Sequence, residues 1–124
     1  MSYTLLRPAT RALVVVLLSL IFSTSLFSQS TGGRLLGRVA DPSGAVLAGV
    51  KVTLVNEATG ADRSVTTNES GDYVFLEVPP AAYRVEFEQA GFKKNLRKDV
   101  TVEINQVLTL NMTMQLGEAR EVVE

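Results

Sequence analysis

The chain has 124 residues, 12 basic and 13 acidic, with neither cysteine nor histidine. That excludes disulfides, thiolate nucleophiles, imidazole bases and nearly all the usual zinc or copper ligand sets. Without residues 1–28, the 12 Lys plus Arg fall to 10 against an unchanged 13 Asp plus Glu, a formal charge of −3 that argues against nucleic acid as a partner.

The first element is a leader. Arg7 and Arg11 stand before an apolar run from Ala12 to Phe22, and small polar residues follow through Ser30. Basic, apolar and small-residue regions in that order make a secretory signal peptide. The run of roughly eleven apolar residues is about half of what a membrane-crossing helix needs. We therefore expect residues 1–28 to be a signal-peptide helix, cut after Ser28, with Ser25 and Ser30 as other possible last residues and an uncleaved anchor as the alternative. Residues 29–33 form a short linker, and the mature chain is expected to have no transmembrane span.

From residue 34 onward the text is short strands and turns. Gly37-Arg-Val-Ala-Asp-Pro-Ser-Gly44 leads into Gly49-Val-Lys-Val-Thr-Leu54, and Val50, Val52 and Leu54 share a face. In Asp41-Pro-Ser-Gly44 and Asn68-Glu-Ser-Gly-Asp72, proline and glycine suit turn dihedrals and the Asx side chains suit Asx turns. Tyr73 and Phe75 share the next face. Pro79 and Pro80 cannot donate ladder hydrogen bonds, so the chain leaves one sheet there. Tyr83, Val85 and Phe87 alternate with Arg84, Glu86 and Glu88, the pattern of a half-buried antiparallel strand. Val100, Val102 and Ile104 continue it, followed by Leu108, Leu110, Met112, Met114 and Leu116 on one side of the last strand. These residues are the expected core. Strands near 34–40, 49–55, 62–67, 72–77, 82–88, 92–104 and 106–115 make an all-β, seven-stranded Greek-key β-sandwich. Residues 117–124 are expected to be a tail or the start of a linker, too short to pack as an element.

The order Gly37-x-Val39-x-Asp41-x-Ser43-Gly44, Gly49-Val-x-Val52, Thr59-Gly60, Gly71-x-Tyr73-x-Phe75, Pro79-Pro80, Tyr83 and Gly91-Phe92 resembles the carboxypeptidase regulatory-like domain over about residues 34–116. The resemblance implies a transthyretin-like β-sandwich, related in general fold to starch-binding-like modules. It also implies a non-enzymatic accessory role, as at the N-termini of TonB-dependent outer-membrane receptors. An exported module of the periplasm or outer membrane in a Gram-negative-type envelope is then expected. Its partners would be envelope proteins, or a receptor plug and barrel in cis, and it would need no cofactor. A soluble carbohydrate-binding module is the alternative. Where the family usually reads Pro-Pro-Gly-x-Tyr, this chain has Ala81; a positive φ there would strain alanine by about 1 kcal/mol.

No catalytic residue is expected: Glu86 and Glu88 share a strand face with Arg84, and Glu77 has no partner in sequence. Asp41, Asp62, Asn68, Glu69 and Asp72 contain the oxygens of a calcium site, but turn-capping explains them better, and no metal is assigned. Surface contact is assigned to Phe92, beside the Gly91 turn and the aromatic expected to be most exposed, and to Lys93, Lys94 and Arg97. With Lys98, these cations read first as protection of an exposed edge strand and second as a contact for anionic headgroups.

Overall fold

The computed structural model describes residues 7–22, 31–117 and 121–123. It separates into two units, residues 1–30 and 31–124. In the first unit one helix, α1, spans Pro8–Phe22. Proline suits its first turn, where an amide proton would find no partner anyway. Fifteen residues at about 1.5 Å each reach about 22 Å, against the ~30 Å of a hydrocarbon core. Among the described residues no helix is long and apolar enough to cross a membrane. The Ser28 cut site lies outside the described residues.

The second unit is built from strands β1 (Gly33–Ala40), β2 (Lys51–Asn56), β3 (Asp62–Thr66), β4 (Asp72–Val78), β5 (Ala81–Glu88), β6 (Lys94–Val102), β7 (Val107–Thr109), β8 (Met112–Thr113) and β9 (Glu121–Val123). They form two sheets. One has the order β4-β1-β7, with β8 also alongside β1; the other has the order β3-β2-β5-β6-β9. The chain changes sheet at β1→β2, β3→β4, β4→β5, β6→β7 and β8→β9, the crossing connectivity of a sandwich rather than a meander.

The inward rows come from period-two alternation, which register shifts interrupt before Val78 in β4 and before Val100 in β6. Leu35, Val39, Tyr73, Phe75 and Val78 from the first sheet meet Val52, Leu54, Tyr83, Val85, Phe87, Val100 and Val102 from the second in one buried cluster. Leu110, Met112 and Met114 close it. Tyr73 packs edge-to-face on Phe75 and Phe87, at 6.1 and 5.7 Å between centroids.

Several expectations need correction. Among the described residues the strands number nine rather than seven: the expected 106–115 strand breaks into β7 and β8, and the tail supplies β9. The break lies where Leu110 crosses Gly37; a Cβ on Gly37 would sit 1.8 Å from the Leu110 carbonyl oxygen. Gly37 therefore serves close approach within a strand. Both β7 and β8 run parallel to β1. Ile104 and Leu116, expected inside, are 63% and 69% exposed. Ile104 falls in the turn after β6, beside Asn105 at φ 55°, and Leu116 lies beyond the end of β8, in an isolated bridge to Phe92 that leaves its side chain outside. Leu35, Val39, Val78 and Leu96 are buried without having been singled out. In β1 the inward positions read Gly33, Leu35, Gly37, Val39, and two glycines thin the apolar signal. Ala81 carries no strain: the described non-glycine residues with positive φ are Glu77, Asp99 and Asn105. It opens β5 in register with Val102, an ordinary extended position.

Candidate interaction surfaces

The two Asx turns form as the sequence implies. Asp41 Oδ1 accepts from the Ser43 amide (2.9 Å), the Ser43 hydroxyl (2.6 Å) and the Ala45 amide (3.0 Å). Asn68 Oδ1 accepts from the amides of Ser70 and Asp72. The Ser43 hydroxyl holds the Asp41 carboxyl below its ordinary range, and Arg38 does the same to Asp72 through a 2.8 Å ion pair. These oxygens are engaged by protein donors. Among the described residues no cluster of three His, Cys, Asp or Glu is arranged to hold a metal.

The four residues assigned to surface contact fall into different settings. Phe92 is half-buried against the core and bridges to Leu116. The Lys93 amide donates to the Gln115 carbonyl, and its stem lies over Gly117. Lys94 Nζ sits 3.0 Å from Glu88 Oε1 and 3.7 Å from Glu86 Oε2, while Arg84 Nε meets Glu86 Oε1 at 3.0 Å. That network covers the outer face of the five-stranded sheet and engages the carboxylates once weighed for catalysis. Arg97 is half-buried in the inward register of β6, opposite Val85. Burial pushes the Tyr73 hydroxyl well above its usual range, and the Arg97 charge draws it partly back. The run 93–98 is therefore not one basic patch.

Two polar side chains join the sheets at their margins. Arg63 lies opposite Leu54, so it points inward from the edge of β3. Its guanidinium donates to the carbonyls of Leu76 (2.8 Å) and Glu77 (3.3 Å) and stands 5.7 Å from the Phe75 ring centroid. Across the opposite margin, the buried Asn95 donates from Nδ2 to the Thr113 carbonyl at 3.1 Å. An arginine alternating with Val65 in an otherwise polar strand was the available signal for the first; nothing in the sequence separated Asn95 from a surface asparagine. Tyr83 donates to the Pro79 carbonyl, which gives the Pro79-Pro80-x-x-Tyr83 spacing its physical reason. Tyr73 donates to the Leu110 carbonyl at 2.6 Å.

Two of the surface concavities lie beside these groups. A cavity of about 130 Å³ lies among Leu54, Ala61, Arg63, Pro79 and Tyr83. An open hollow of about 520 Å³ on the outer face of the four-stranded sheet is lined by Leu36, Arg38, Asp72, Val74 and Asn111. In the first, Tyr83 spends its hydroxyl on the Pro79 carbonyl, and in the second Asp72 is paired with Arg38.

Two sheets packed around an aliphatic and aromatic core, with polar groups spent on turns and margins, define a transthyretin-like β-sandwich. A family model for the carboxypeptidase regulatory-like domain matches residues 34–115, and the chain belongs to that family. The TonB-dependent transporter Oar of Myxococcus xanthus is 30% identical over 114 residues, covering 89% of this chain and 11% of that protein. The chain thus spans about a tenth of that relative's length. Among solved structures, the Bacillus anthracis TIE protein superposes with a TM-score of 0.59 at 22% identity, covering 69% of this chain and 17% of that one. A putative carbohydrate binding protein from Bacteroides uniformis gives 0.56 at 20% identity, with 66% and 40% covered. At these identities the likeness is one of fold.

Proposed function

We propose that this chain is a non-enzymatic, exported interaction module, the periplasmic accessory domain of an outer-membrane TonB-dependent receptor. In this reading residues 1–28 are its signal peptide, residues 29–33 a short linker and residues 117–124 the start of the connection onward. The observation that carries it is the similarity to Oar, which extends over 89% of the chain and so beyond the sandwich itself. The helix behind Arg7, with Arg11 in its first turns and a mostly apolar run from Ala12 to Phe22, suits an export signal. A rigid sandwich in that position spaces or docks a neighbouring domain, and the family's regulatory character asks nothing catalytic of it.

The test is to express the gene in its natural context, fractionate the envelope and sequence the N-terminus of the species that carries the sandwich. A mature terminus at Gln29 on an outer-membrane polypeptide of receptor size is the expected result. Recovery with Met1 intact in the cytoplasm overturns the reading. The carbohydrate-binding alternative has less support, because sugar platforms use exposed aromatic faces. Every described aromatic of the sandwich is buried or, for Phe92, half-buried against the core. Glycan-array binding lost on Phe92→Ala would reverse that preference.

A further inference from the structure

We propose that the edge of β6 over Lys94–Leu96 is a strand-docking site for an extended polypeptide segment running parallel to β6, occupied here by the chain's own residues 121–123. The proposal deepens the interaction role above and rests on it for its biological meaning.

A sheet margin offers a row of unpaired amides and carbonyls, and proteins block such rows with bulges, short strands and inward-pointing charges. Three of the four margins described here carry such devices. On β4 the Arg63 guanidinium already takes the carbonyls of Leu76 and Glu77. A register shift against β1 and the left-handed Glu77, at φ 53°, bend the same stretch. The β3 margin is five residues long and turns Arg63 inward. The β7 and β8 margin is broken where Leu110 crosses Gly37, leaving segments of three and two residues.

The fourth margin, β6, differs along its length. From Lys98 it is spoiled by the bulge opposite Tyr83–Val85 and by Asp99 at φ 56°. Lys94–Leu96 is regular, and there the chain adds a strand: Lys94 pairs with Glu121, Asn95 with Val122 and Leu96 with Val123, all parallel. The occupied edge is thus a stretch of β6 with neither a bulge nor a left-handed residue, and the Lys94 ammonium that would guard it is drawn onto Glu86 and Glu88. Strand addition of this kind takes its affinity from main-chain hydrogen bonds. The segment seated there, Glu121-Val-Val123, carries two β-branched residues, the composition that suits an added strand. Three pairs hold a strand loosely, so a longer partner segment can take its place.

The test uses the full chain and its Val122→Pro variant, which removes one amide from β9. Amide exchange at Lys94–Leu96 should be about tenfold faster in the variant, while protection of Val85 and Phe87 in the core stays unchanged and reports an intact fold. A fluorescent synthetic peptide of residues 117–124 should bind the variant about tenfold more tightly than the parent, whose edge is already filled; a scrambled peptide should bind neither. Unchanged exchange at Lys94–Leu96, or peptide binding no better than the scrambled control, overturns the proposal. These readouts are indifferent to which larger protein carries the sandwich, and the fractionation experiment is indifferent to the β6 edge, so the two readings fail separately.

Discussion

At the scale of single residues, the positions that matter most are those where the backbone comes close or a polar group is enclosed. Gly37→Ala places a methyl carbon 1.8 Å from the Leu110 oxygen, and the β1–β7 contact must open to admit it. We expect a loss of about 2–3 kcal/mol in urea unfolding with an unchanged slope. Tyr83→Phe removes the bond to the Pro79 carbonyl and should cost about 1 kcal/mol by the same measurement. The acid limb of stability depends on Asp72 and Asp41, whose carboxyls titrate below the ordinary value of 3.8 because Arg38 and Ser43, respectively, donate to them. A depressed folded-state pKa adds stability that is present above the unfolded value and lost as pH falls through the folded one. Melting temperature should therefore drop as pH is lowered from 5 toward 3, on the scale of carboxylate titration near about 3.9. Asp72→Asn should flatten part of that drop; an identical acid limb in the variant would refute the assignment.

At the scale of elements, the margins decide behaviour. Arg63→Ala removes both the Phe75 contact and the two carbonyl caps, exposing the β4 edge. We expect a loss of about 1–2 kcal/mol, and light scattering that rises with protein concentration faster than in a Lys51→Ala control. Equal scattering in the two variants would mean that Arg63 does not guard this edge. Much of the element pattern was legible beforehand. Tyr83, Val85 and Phe87 alternate without interruption, and the Asx turns at Asp41 and Asn68 carry their own local hydrogen bonds, so neither needs distant partners to be recognised. The parallel pairing of β7 and β8 with β1 was not legible, because strand direction relative to a neighbour depends on a crossover that leaves no mark on local periodicity.

At the scale of the whole molecule, one core holds both sheets with no cysteine to cross-link them. Addition of calcium or a chelator should leave the melting temperature within about 1 °C, because a ligand that binds only the folded state would raise it by mass action. A calcium-dependent rise would revive the cluster around Asp41 and Asp72. The candidate contact residues were only partly legible at this scale. Phe92, Lys93, Lys94 and Arg97 are consecutive or nearly so, yet Phe92 packs against the core, Lys94 joins the Glu86 and Glu88 network and Arg97 turns inward. Proximity in the chain says little about shared surface once a strand alternates its faces and a bulge shifts its register.

The sequence by itself determined the class of fold, the inward rows of most strands, both Asx turns and the poverty of reactive chemistry, because all of these follow from local periodicity and composition. Only the tertiary structure decided that Gly37 admits a crossing carbonyl, that Ile104 and Leu116 lie outside, that Ala81 is unstrained, and that Arg63 and Asn95 tie the sheets together. It also decided that residues 121–123 return to pair with β6. Each of these depends on which segments, far apart in the chain, are brought within contact distance, and that is a property of the packed sheets rather than of any one stretch of sequence.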